Sequence, residues 1–146
     1  MMTMTWDEMR TLPITTADIV RARAAGACKE ALRWAAAAPR TWGDARPEWI
    51  GWYGRYAATP AQLDACIAGT NAERRGRIGE YRTDLTPAQL DACIAGTNAE
   101  RRGRIGACRD DLTPAQLTAC IAGTTPYWRG VIGAARRSDA GAARGV

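Results

Sequence analysis

A chain of 146 residues has room for one domain or one short repeat array, and its 47% apolar share is carried mainly by alanine, because Leu, Ile, Val and Phe together number only 19. That excludes a thick aliphatic core and requires small side chains, closely approaching backbones and a few Trp, Tyr and Ile anchors. The net charge of +5 and pI near 9.3 admit nucleic acid or an acidic protein as partner, while the absence of histidine removes the commonest general base and the Cys/His and Ser/His nucleophile pairs.

The N-terminal third, residues 1–58, is predicted to be a divergent helical region. Residues 1–16 carry Asp7 and Glu8 and lack the apolar run of a secretion signal. No stretch approaches the roughly 20 apolar residues of a membrane span. The five cysteines are odd in number and lack CxxC spacing, which fits a reducing cytoplasm. Residues 40–56 (RTWGDARPEWIGWYGRY) gather Trp42, Trp49, Trp52, Tyr53 and Tyr56, half of all Trp and Tyr in the chain. In an aliphatic-poor protein such a cluster is expected to form the main core, and Trp, Tyr and Arg are also the residue types enriched at binding hot spots.

Residues 59–137 are predicted to be three tandem helical hairpins with a 27-residue period. Residues 59–79 (TPAQLDACIAGTNAERRGRIG) are identical to residues 86–106, and residues 113–133 (TPAQLTACIAGTTPYWRGVIG) keep the frame. Upstream, residues 48–56 align with residues 73–81 and residues 14–19 echo residues 85–90, so the N-terminal third repeats the same plan loosely. Within a unit, Thr59-Pro60-Ala61-Gln62 has the pattern of a capping box with Pro at the first helical position. Leu63, Cys66 and Ile67 then make one apolar stripe, and Gly69 is expected to end the helix. A second box at Thr70-Asn71-Ala72-Glu73 predicts a helix to about Thr83. The expected result is an all-α protein whose hairpins stack as a small solenoid or compact bundle. Residues 138–146, small and polar, are predicted to be a disordered tail.

Glycine inside a helix costs about 1 kcal/mol against alanine, so the pair Gly76 and Gly79, repeated in every unit, requires an offsetting gain. A bare helical face that admits a neighbouring helix supplies it; a loop broken by both glycines is the alternative. The inner units carry Arg74 and Arg101 where the outer units carry Trp49 and Trp128, and Arg77 and Arg104 where the outer units carry Trp52 and Val131. The aromatic residues are expected at the ends of the stack, as caps or as anchors for a partner.

No combination of residues predicts catalysis, a cofactor or a metal site. Cys66, Cys93 and Cys120 recur on the apolar stripe and read as small buried hydrophobes, and a zinc site without histidine would have to be assembled across repeats. Gly69 and Gly76 are too far apart for a P-loop, and the Gly76-Arg77-Ile78-Gly79 match to the GxxG of KH domains lacks its strands. The candidate binding residues are Arg74, Arg75, Arg77, Arg101, Arg102, Arg104 and Arg129, with Trp49, Trp52 and Trp128. Residues 59–85 and 86–112 each balance four arginines with four acids, whereas affinity for nucleic acid grows with the phosphates neutralised by uncompensated charge. The arginine columns therefore fit internal ion pairs, an acidic protein surface or a phosphate backbone. A unit that stacks on its own copies also admits self-association.

The stretch Gly26-Ala27-Cys28-Lys29-Glu30-Ala31-Leu32-Arg33-Trp34, followed by Thr41-Trp42 and Pro47-Glu48-Trp49-Ile50-Gly51-Trp52-Tyr53, resembles a module of bacterial and phage proteins that carries no known activity. The resemblance spans about a third of the chain and implies an origin in a phage or other mobile element of a GC-rich bacterium. The function expected is that of a non-enzymatic binding protein, with an inhibitor of a bacterial defence complex as its specific form and a nucleic-acid backbone binder as the alternative.

Overall fold

The computed structural model describes the backbone of residues 4–144 and the side chains of residues 4–137. Among the described residues there are ten α-helices: α1 (Trp6–Met9), α2 (Thr16–Ala24), α3 (Lys29–Ala37), α4 (Pro47–Tyr56), α5 (Pro60–Gly69), α6 (Ala72–Tyr81), α7 (Pro87–Gly96), α8 (Ala99–Cys108), α9 (Pro114–Ala122) and α10 (Pro126–Arg144). A 3-10 turn at Trp42–Asp44 precedes α4. An isolated bridge between Pro13 and Thr41 is the one β-type pairing among the described residues, so the protein is all-α, as its sequence predicts. Helix α10 continues through residue 144, covering most of the segment for which the sequence predicts disorder; residues 145 and 146 lie outside the described residues.

The Thr-Pro-Ala-Gln boxes start the first helix of each hairpin. Gln89 N donates to Thr86 Oγ1 at 3.1 Å while Thr86 N donates to Gln89 Oε1 at 2.9 Å, and Thr113 with Gln116 does the same at 3.1 and 3.0 Å. The second helix differs from the expectation. Its N-cap is Asn71, not Thr70, with Arg74 N donating to Asn71 Oδ1 at 2.9 Å, and it ends at Tyr81. Asn98 caps α8 in the same way. The threonine is committed elsewhere: Thr70 Oγ1 donates to the Pro47 carbonyl, Thr97 Oγ1 to Ala72 and Thr124 Oγ1 to Ala99, each at 2.6 Å. One hydroxyl thus ties each hairpin to the helix before it. Gly69 and Gly96 close α5 and α7 without a left-handed residue, since Gly26, at φ +94°, is the one glycine in that region among the described residues.

The helices form two layers. Helices α5, α7 and α9 pack side by side, and α4, α6, α8 and α10 lie in order across them. Glycine pairs make the second layer tight. An added Cβ at Gly51, Gly76 or Gly103 would overlap a threonine hydroxyl and the Cβ of Arg74, Arg101 or Trp128 in the next helix. At Gly54 it would lie 2.9 Å from Cys66 Cβ and 3.0 Å from Ile78 Cδ1, and at Gly79 2.8 Å from Cys93 Cβ and 3.0 Å from Ile105 Cδ1. The core is correspondingly thin. Leu63, Ile67, Ile78 and Cys93 form one buried cluster and Leu90, Ile94, Ile105 and Cys120 the next. A larger cluster of Met9, Trp42, Ile50, Tyr53 and Cys66 lies where the N-terminal helices meet α4 and α5.

Candidate functional site

The arginine columns divide into three groups by the chemistry of their partners. Arg75 reaches two helix C-termini: its guanidinium donates to the Ile67, Ala68 and Thr70 carbonyls at the end of α5 and to the Gly96 carbonyl at the end of α7, at 2.5–3.2 Å. Arg102 repeats this with Ile94, Ala95 and Gly123. These are the orphan carbonyls of helix ends, where the helix dipole favours a cation. Gly96 and Gly123 leave room for those guanidinium stems, and the ring of Trp6 covers Gly69 at the same place in α5. Arg129, in the last helix, is exposed and donates to the Ile121 carbonyl alone among the described residues.

The second group pins the turns between hairpins. Arg82 donates to the Gly54 and Ala58 carbonyls at 2.6 and 2.9 Å and pairs with Asp84, while Arg109, 8% exposed, donates to the Gly79 and Arg82 carbonyls at 2.9 and 2.7 Å and pairs with Asp111. The Arg82 guanidinium holds Asp84 below the usual carboxylate range, and Arg109 does the same to Asp111. The third group lies along the outer face of the second layer. Arg77 pairs with Glu73 at 3.2 Å, Arg104 with Glu100 at 3.1 Å, and Arg101 with Glu73 and with the buried Glu80 at 3.1 and 3.3 Å. Hydrogen bonds from Arg101 and Arg77 lower the pKa of Glu73. Most candidate arginines therefore spend their donors on the chain itself.

Arg74 is different. Its stem packs over Gly51, and among the described residues its guanidinium has no carboxylate partner. It stands at the edge of a cleft of about 290 Å³ between α2, α3 and α4. Trp34, Trp42, Trp49 and Trp52 wall this cleft together with Ile19, Leu32 and the alanines Ala22, Ala27, Ala31 and Ala35. Trp49 meets Trp34 with ring centroids 5.3 Å apart, and Arg46 and Arg40 lie over the two rings at 4.6 and 4.9 Å. These contacts hold two of the indoles that line the cleft.

The floor of the cleft is polar and satisfied. Asp18, 5% exposed, accepts from Arg21, from Gln62 Nε2 at 3.0 Å and from Thr15 N at 2.9 Å, and Tyr53 Oη donates to Gln62 Oε1 at 2.8 Å. Burial pushes the Tyr53 phenol up to about 12 against the opposing hydrogen bond from Arg21. This network fastens α2 to α4 and α5 across a boundary with little aliphatic packing.

Of the sequence candidates, the structure brings Trp49, Trp52 and Arg74 to one cleft. It sets Trp128 at the opposite end of the stack, with its Cβ over Gly103 and its ring under Arg104 at 5.1 Å. Ala31, Leu32 and Trp34 enter the sequence reading only in the stretch that carries the resemblance, and neither they nor Ala35 are among its candidate binding residues. A local signal was the spacing of Ala31 and Ala35 at i, i+4, which puts two small side chains on one face of α3, with Ala27 just before the helix. No protein-family model, curated protein or solved structure matches the chain. Among the described residues no helix is long and apolar enough to cross a membrane.

Proposed function

We propose that the chain is a non-enzymatic binding protein that docks on a protein partner through the tryptophan-walled cleft at the N-terminal end of its helical stack. The observation that carries this reading is the cleft itself: an open, mainly apolar space of about 290 Å³ walled by four indole rings. A space of that size accepts one bulky side chain or a short apolar segment. The internal commitment of Arg75, Arg101 and Arg102 counts against a phosphate-tracking groove, because those donors would have to leave carbonyls and carboxylates inside the chain to reach phosphate. The resemblance to phage and bacterial proteins makes a cytoplasmic complex of the bacterial host the natural partner, with inhibition of a defence assembly as its specific form.

The test is affinity capture from a bacterial lysate with the wild-type chain and with Leu32→Arg, which sets a charge in the cleft wall. A protein retained by the wild type and lost from the folded variant supports the reading; equal recovery on both counts against it. Gel shifts across a salt series separate the alternative, which requires binding of nucleic acid that falls steeply with salt and survives Leu32→Arg.

A further inference from the structure

Arg74 and Arg101 occupy equivalent positions in consecutive second-layer helices, and their surroundings differ at two positions. Arg101 bonds Glu73 at 3.1 Å and Glu80 at 3.3 Å, and Arg77 helps to hold Glu73 in place. At the first junction the matching residues are Glu48, Arg55 and Trp52. The buried acid has become an arginine, whose guanidinium lies against the rings of Tyr56 and Tyr81 at 4.4 and 4.1 Å, and the arginine that steadied the other acid has become an indole in the cleft wall. The buried anion is thereby gone and Glu48 lacks the arginine that steadies its counterpart; among the described residues no carboxylate pairs with the Arg74 guanidinium, and the cavity opens beside it.

Resting on the docking reading above, we infer that the cleft takes an apolar side chain carried next to a carboxylate on an acidic segment of the partner protein, with Arg74 receiving the carboxylate. A guanidinium beside apolar walls and without an anion gains more from an arriving carboxylate than one already paired, because the bond is charge-assisted and partly shielded from water. The planar donor fork also fixes the direction of approach. Glu48 lines the same cleft and repels a carboxylate. It therefore limits the site to one anion on the Arg74 side, and Glu48→Gln is expected to tighten an acidic ligand.

The test uses the full chain and two capped peptides, acetyl-Glu-Leu-Phe-Glu-amide and its neutral isostere acetyl-Gln-Leu-Phe-Gln-amide, titrated while the indole emission of the protein is followed. The acidic peptide is expected to bind about tenfold more tightly, the factor that corresponds to one charge-assisted hydrogen bond. That advantage disappears in Arg74→Gln, which keeps the stem over Gly51 and so preserves the fold. Ala31→Trp, which fills the cleft, abolishes binding of both peptides. Equal affinity of the two peptides for the wild type, or an acidic preference that survives Arg74→Gln, overturns the inference; if Ala31→Trp still abolishes both, the docking reading stands without it. Failure of both peptides to bind, or binding indifferent to Ala31→Trp, overturns the inference, and the capture experiment then decides the docking reading separately.

Discussion

Gly103 and Gly130 hold the same place in successive helices and have opposite requirements. A Cβ on Gly103 would collide with the Trp128 stem and the Thr124 hydroxyl, whereas nothing among the described residues lies within 4 Å of a Cβ on Gly130. Gly103→Ala forces the two helices apart and is expected to cost about 1–3 kcal/mol, the range for overpacking a tight contact. Gly130→Ala meets open space and is expected to gain about 0.5–1 kcal/mol from helix propensity. Urea unfolding of the two variants checks the pair, and a loss of stability in both would mean that α10 is covered on the face where this structure leaves it bare. The GxxG spacing is thus a packing device in α4, α6 and α8, each followed by a further helix, whereas α10 keeps the spacing with nothing against Gly130 among the described residues.

At the scale of elements, the chain is held by guanidinium groups that cross from helix to helix. Arg102 reaches the carbonyl ends of both α7 and α9. A lysine places one compact ammonium where a planar fork met two helix ends, so Arg102→Lys is expected to cost about 1–3 kcal/mol. Arg129→Lys, at an exposed position with one carbonyl partner, is expected to change stability by less than about 0.5 kcal/mol. Thermal unfolding of the two single variants compares them, and equal effects would mean that the bonds between helices contribute nothing. This was the part of the architecture least legible in sequence. The Thr-Pro-Ala-Gln boxes and the apolar stripe identified α5, α7 and α9 because capping and periodicity are local. The cap of α6 was misassigned by one residue because Thr70 and Asn71 are both competent caps, and only the Pro47 carbonyl, 23 positions away in the chain, decides which hydroxyl or amide is free. The role of Arg75 was hidden for the same reason, since its acceptors are carbonyls, which carry no sequence signature. The cleft depends on where α2 and α3 sit against α4, and the repeat pattern does not extend to that packing.

For the whole molecule, the absence of histidine leaves stability to be shaped at the two ends of the pH scale. Asp44, Glu73, Asp84 and Asp111 are held below the ordinary carboxylate range by hydrogen bonds, to Thr41 at Asp44 and to arginines at the others. The stability they contribute is complete above about pH 5 and is lost as pH falls through their unfolded and then their folded values. The alkaline side is governed by the column of thiols. Burial pushes Cys66 and Cys93 up to about 12 and Cys120 up to about 11, while an unfolded thiol ionises near about 8.5. Below that pH both states hold the proton and the thiols do not affect the balance between them. Above it the unfolded chain releases protons that the folded chain retains, so stability falls as pH rises toward the folded values, by up to about 1.4 kcal/mol per thiol per pH unit. Tyr53, pushed up to about 12, adds to the fall above pH 10. Urea midpoints under reducing conditions are therefore expected to hold steady from about pH 6 to pH 8 and to drop steeply from about pH 9 to pH 11. Replacement of all three thiols by alanine should lower the plateau, because it opens cavities, and yet flatten that drop. A midpoint in the wild type that stays level to pH 10.5 would mean that the thiol column is wet, and with it the close stacking on which the glycine pairs depend.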